Sequence, residues 1–211
     1  MNGLRKEIYY FDNPGETNTD FVIRLSKRRA LELGIRKILV ALDTGRSVLK
    51  TVKAFSKTGT QLVAVTTPPC TTWGPEGDLP SGILDEKVRQ RLGKCGVMIV
   101  QATPPFFSMK RLGKTLELFG AGTKIAVQIA VMATDAGIVK EGEEVISMAG
   151  TYKGLDTALV LKGAICWNFL NKLEVLEIIA KPRSPRVSLP EYKDPKWKGD
   201  ITKYYHPMSQ I

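Results

Sequence analysis

The sequence predicts an α/β domain built on a mainly parallel sheet, and three observations carry that expectation. Between Ile8 and Thr66 short apolar runs alternate with amphipathic stretches, the pattern of repeated βα units. The run Lys37 to Leu42 is apolar almost throughout, as expected of a strand covered by helices on both faces. Val48, Leu49, Val52 and Phe55 then recur at helical spacing before Leu62–Val65 reads as a strand again, which closes a βαβ unit. A chain of 211 residues suits one large domain with a single core.

In chain order, Ile8–Phe11 reads as the first strand and Pro14-Gly15 breaks it. Thr17, Asn18 or Thr19 can cap the next helix, in which Phe21, Ile23–Leu25, Ala30 and Leu33 recur, and Gly34 marks its end. Thr58-Gly59 stops the second helix. The segment Thr67 to Gly82, with Pro68-Pro69, Trp73-Gly74-Pro75 and Pro80, reads as a long loop of the kind that serves as a lid. Helix Leu84–Leu92 and strand Val97–Val100 follow, then an irregular stretch through Pro104-Pro105-Phe106-Phe107. Small residues at Ala126, Ala130, Ala133 and Ala136 make Lys124–Ala136 a closely packed buried helix. Strands Glu144–Met148, Thr157–Leu161 and Val175–Ala180 finish the domain, which is expected to span residues 1–183. Residues 184–211 read as an extended basic tail. Pro185, Pro190, Pro195 and Pro207 interrupt any element there, while Trp197, Tyr204 and Tyr205 favour docking on the domain or on a neighbouring subunit.

Lys and Arg number 31 against 21 Asp and Glu, giving a net charge of +10 that favours anionic partners. The densest cationic cluster, Arg24, Lys27, Arg28 and Arg29, falls on a helix and reads as a solvated face, so a nucleic acid partner is not expected. No apolar stretch approaches a membrane span and the start is charged, so the expected location is cytoplasmic. Cys70, Cys95 and Cys166 are odd in number and far apart, which supports neither a disulfide framework nor a CxxC site. They read as buried or incidental thiols. The one histidine, His206, lies in the tail, and no metal site or nucleophile–base pair is evident.

Chemistry is expected first at Asp43-Thr44-Gly45-Arg46-Ser47, where a parallel strand turns into a helix, the usual place for ligands in open α/β sheets. Helix-start N–H groups favour an anion, Gly45 allows close backbone approach, Thr44 and Ser47 add hydroxyls, and Arg46 adds a charged fork suited to phosphate. The bland alternative is a capped helix beside a solvated Arg46. The spacing is not that of a Walker A loop, so nucleoside triphosphate hydrolysis is not indicated. A second candidate is the loop Gly150 to Thr157, expected to be flexible, with Thr151, Lys153, Asp156 and Thr157 as its polar groups. A third is Thr134-Asp135 before Gly137, where Asp135 reads more readily as a local polar partner than as a catalytic acid.

Val40 to Thr66, with its Thr-Gly-Arg-Ser turn, resembles the C-terminal domain of pyruvate kinase, and Gly150 to Leu161 resembles that domain's later glycine loop and strand. The span from about Tyr9 to Arg183 is similar to a stand-alone family of pyruvate kinase α/β-domain proteins. The points of likeness are Tyr10 to Thr19, Met132 to Gly137 and Gly154 to Thr157. Asp43 stands where the kinase loop usually has a small neutral residue, and the Pro-rich Thr67–Gly82 segment with Trp73 is a second departure. The resemblance implies a three-layer α/β/α sandwich with a mostly parallel mixed sheet. It also implies flavin mononucleotide (FMN) as the ligand, between Thr44–Ser47, Thr66-Thr67, Thr134-Asp135 and Gly150–Thr157; a homo-oligomer is expected as well. A regulatory module sensing a sugar phosphate is the alternative. Pyruvate kinase activity is not expected, because its β/α barrel alone needs about 250 residues.

Overall fold

The computed structural model describes residues 5–69, 71–73 and 79–184. Its main sheet has seven strands in the order β1 (Tyr9–Phe11), β9 (Glu174–Pro182), β8 (Thr157–Lys162), β7 (Glu144–Ala149), β2 (Lys37–Ala41), β3 (Gln61–Thr66) and β6 (Met98–Gln101). β8 runs antiparallel to both its neighbours and every other pairing is parallel. A separate two-stranded hairpin joins β4 (Thr71–Trp73) to β5 (Leu79–Ser81), within the segment expected to be a loop.

Three helices cover one face: α1 (Thr19–Leu33), α2 (Arg46–Phe55) and α3 (Glu86–Lys94). The other face carries α4 (Lys110–Leu116), α5 (Ala121–Asp135) and α6 (Phe169–Lys172). The result is a three-layer α/β/α sandwich. Strand alternation divides the core between the layers. Ile38 and Val40 pack with the α1 layer, whereas Leu39 packs with the α5 layer, and all three are fully buried. Each such side chain contributes about 1.5–3 kcal/mol through burial. The doubly apolar run of β2 therefore has the cause expected of it.

α5 is buried almost all round, and its small residues let it lie close to the sheet, where Ser147 Oγ donates to the Ala126 carbonyl at 2.7 Å. Gly34 ends α1 in the left-handed conformation at φ 68°, with its N–H on the Ala30 carbonyl, as a helix-ending glycine should.

Two expectations need correction. Arg29 is not part of a solvated face: it is buried against β9, donating through Nε to Glu177 at 2.6 Å, through a second nitrogen to the same carboxylate, and to Glu32 at 2.6 Å. Its helical spacing explains this, because Val22, Ser26 and Arg29 fall on the stripe of α1 that meets the sheet. Glu177 first, then Glu32, holds the guanidinium above its ordinary pKa against the opposing effect of burial. Of the readings of the thiols as buried or incidental, exposed Cys95 takes the incidental one. Pro105–Phe107 forms a 3-10 turn followed by α4, within a stretch expected to be irregular. The tail from residue 185 and Cys70 lie outside the described residues.

Candidate functional site

All the parallel strands point their carboxyl ends to one edge of the sheet, and β8 starts from that edge. The exits of β7, β2 and β3 lie side by side there, about 5 Å apart. Asp43–Ser47 leave β2, Thr66-Thr67 leave β3, and Gly150–Asp156 join β7 to β8. Three of the four predicted site segments therefore meet at a single edge.

Asp43 is exposed, Thr44, Arg46 and Ser47 are half-buried, and Gly45 is buried. Gly45 is the N-cap of α2 in the left-handed region at φ 86°, and as glycine it offers the helix no capping side chain of its own. α3 contrasts with it: the Asp85 carboxylate accepts from Lys87 N and Val88 N at 2.8 and 3.2 Å. α2 thus turns its first N–H groups and positive dipole end towards the strand exits, with Asp43 two residues before its N-cap. Gly45 has a second reason to be glycine. A Cβ there would lie 2.5 Å from Val88 Cγ1, so its missing side chain admits α3; the expected close approach to a ligand is not what fills that space.

Thr66 is buried and Thr67 is half-buried, with Thr67 Oγ1 on Ser81 Oγ at 2.9 Å and its carbonyl accepting from Gln101 Nε2 at 2.9 Å. The hairpin is thereby hinged onto β3 and β6 at the site's margin.

The loop 150–156 is packed and pinned, not flexible as expected. Asp156 is fully buried, and its Oδ2 accepts from Gly15 N at 3.1 Å and Thr151 N at 3.0 Å. Its Oδ1 accepts from Thr157 Oγ1 at 2.8 Å. Leu155 N donates to Thr19 Oγ1 at 2.9 Å, and Gly154, at φ 73°, passes so close to Thr19 and Glu16 that a Cβ would overlap both. Asp156 and Thr157 are therefore spent on holding the loop to the start of α1. Thr151, Tyr152 and Lys153 form its outward part, with Lys153 Nζ 5.4 Å from the Tyr152 ring centre.

Thr134 and Asp135 do not join this group. They end α5 at the opposite edge, where Thr134 Oγ1 donates to the Ala130 carbonyl at 2.8 Å and Asp135 accepts from Cys166 N at 2.8 Å. The reading of Asp135 as a local polar partner holds. Its charge adds to burial in raising the Cys166 thiol pKa. That edge also carries the ion pair of Lys37 with Glu143 at 2.8 Å, in which Lys37 additionally donates to the Ile138 carbonyl at 2.6 Å.

The sequence reading missed two segments that do reach the carboxyl edge. The start of α5, Gly120–Thr123, lies against Thr157; a Cβ on Gly122 would stand 2.2 Å from Thr157 Oγ1. The turn Asp12–Asn18 is tied in through Asp156. The chain direction contained the signal for α5. A helix linking parallel strands β6 and β7 must run against them, so its N-terminus meets the strand exits.

This arrangement defines an α/β domain with a group of loops at the carboxyl edge of a mixed sheet. Residues 20–161, more than half of the chain, match the family model described as pyruvate kinase, alpha/beta domain. The chain belongs to that family. Among solved structures it is similar to a pyruvate kinase from Cryptosporidium parvum, at 12% identity and a TM-score of 0.40. That match covers 69% of this chain and 23% of the kinase's length. The described residues form one open sheet and its hairpin, and no β/α barrel. Among them no helix is long and apolar enough to cross a membrane, and no group of three or more His, Cys, Asp or Glu could hold a metal ion.

Proposed function

We propose that this domain binds a phosphorylated small molecule, FMN, with the phosphate on the N-terminus of α2. The observation that carries the reading is the start of α2 at the strand exits, with glycine at its N-cap and Arg46 and Ser47 in its first turn. Backbone N–H groups, the helix dipole and one guanidinium are the donor set a phosphate monoester requires. Thr44 lies in the same turn, and the +10 net charge attracts anions at longer range.

Thr66-Thr67 on one side and Gly150 to Lys153 on the other would border the rest of the ligand. Asp156 and Thr157 would act behind them by fixing the loop. The flavin itself rests on the resemblance to the stand-alone family, and the phosphate position rests on the geometry. A bound flavin would supply hydride and single-electron chemistry, while the protein would hold and orient it.

Protein purified without added ligand should be yellow, and mass spectrometry of the denatured supernatant should return FMN. A colourless protein that neither releases FMN nor quenches added flavin fluorescence contradicts the flavin assignment. Recovery of a sugar phosphate would replace it with the regulatory reading and leave the phosphate position standing.

A further inference from the structure

The α1 layer covers the sheet as far as β9, where Arg29 clasps Glu177. The opposite layer stops earlier, because α5 lies along β3, β2, β7 and β8. Beyond it the sheet turns an apolar surface outward. Val175 opposes Leu161 and Ile178 opposes Leu159, both buried under α5, so Val175 and Ile178 face that side. Lys181 Nζ stands 5.5 Å from the Tyr10 ring centre, which puts Tyr10 on the same side. Val175 is 44% exposed and Tyr10 50%. Just before β9, α6 inserts Phe169 into this layer and leaves Leu170 72% exposed, while Trp167 in the preceding turn is 94% exposed. The exposed part of β9 is its first three residues, Glu174 to Leu176, followed by half-buried Glu177 and Ile178 and buried Ile179 to Pro182. β9 is apolar on both faces, the pattern of a strand meant to be covered twice.

We propose that the chain's own C-terminal segment, residues 185–211, covers this surface as the missing part of the third layer. The segment begins in the right place. Arg183 N donates to the Phe11 carbonyl at 2.9 Å, so the chain leaves the buried end of β9 beside the exposed Tyr10. It is also long enough, since an extended chain of this length reaches about 90 Å. Trp197, Ile201, Tyr204, Tyr205 and Met208 supply the large apolar groups that the surface lacks. Its prolines disfavour a helix or central strand of its own, so those groups find burial only against a surface. A tether fixes the local concentration of the segment at about the millimolar level, which favours it over a second copy in dilute solution.

The test uses the full-length chain carrying Trp73→Phe and Trp167→Phe, so that Trp197 is the single indole. Its emission should be blue-shifted and poorly quenched by acrylamide, equally at low and high protein concentration. Tyr10→Glu with Val175→Glu should red-shift the emission and raise quenching several-fold while circular dichroism shows the fold retained. Tyr204→Ser with Tyr205→Ser, which leaves the sheet untouched, should do the same. An indole as accessible as free tryptophan overturns the proposal. So does shielding that appears only at high concentration, which assigns the surface to a second copy. Shielding unmoved by the tail variant overturns it as well.

Discussion

Gly45→Ala separates packing from ligand approach at the start of α2. The substitution meets two costs. A left-handed backbone at φ 86° disfavours any Cβ, by about 1–2 kcal/mol. The new methyl would also stand 2.5 Å from Val88 Cγ1, and overpacking of that kind costs about 1–3 kcal/mol. Together they predict a loss of about 2–5 kcal/mol. Val88→Ala alone should cost about 1.5–3 kcal/mol, since Val88 is buried in the α1-side core. In the double variant the clash disappears while the backbone cost remains, so the two losses should fall short of additivity by about 1–3 kcal/mol. Equilibrium urea unfolding measures all three, provided that the m-value is unchanged. Strict additivity, or a Gly45→Ala loss below about 0.5 kcal/mol, would refute the placement of α3 against this glycine.

Arg29→Met should destabilise the fold by about 1.5–3 kcal/mol, the value of hydrogen bonds to charged groups, in urea unfolding; a neutral effect would restore the solvated-face reading. Burial pulls the Glu143 carboxyl upward, but the Lys37 hydrogen bond and the Lys140 N–H outweigh it and leave its pKa lowered. Its folded pKa lies below its unfolded one, so its contribution is present above the ordinary glutamate value of about 4.3 and is lost as pH falls through the folded value. Glu143→Gln should therefore flatten the acid limb of a melting temperature against pH curve. Asp156→Ala removes the acceptor for Gly15 N and Thr151 N, and should cost about 2–4 kcal/mol. Hydrogen exchange should then accelerate in residues 12–18 and 150–156 together; acceleration in one loop alone would contradict the coupling.

The strands and long helices were legible because burial on two faces writes itself into sequence as nearly continuous apolar runs at Lys37–Leu42 and Lys124–Ala136. Gly34 was legible for a local reason, the left-handed cap. The carboxyl-edge position of Asp43–Ser47 followed from a strand turning into a helix. What escaped was long-range. Arg29 looks like its basic neighbours until its place on the buried stripe of α1 and its partner on β9, far along the chain, are both known. Thr134 and Asp135 were placed at the site through the family resemblance, yet helix direction puts Gly120–Thr123 there. α4 is short and contains Gly113, so its periodicity was too weak to register. The buried work of Asp156 depends on donors from a turn at the other end of the chain.

The central claim is a phosphate held at the start of α2, and its most direct test compares FMN with riboflavin in titration calorimetry on apo-protein, wild type and Arg46→Ala. FMN should bind the wild type more tightly than riboflavin does. Arg46→Ala should weaken FMN binding by roughly tenfold to a hundredfold, from a loss of about 1.5–3 kcal/mol, and leave riboflavin unchanged. Ser47→Ala should cost less, about 0.5–1.5 kcal/mol. Equal losses for both flavins would place the loop against the ring or the ribityl chain. Unchanged affinity for both would contradict the claim and leave Arg46 as a charge beside an unoccupied helix end.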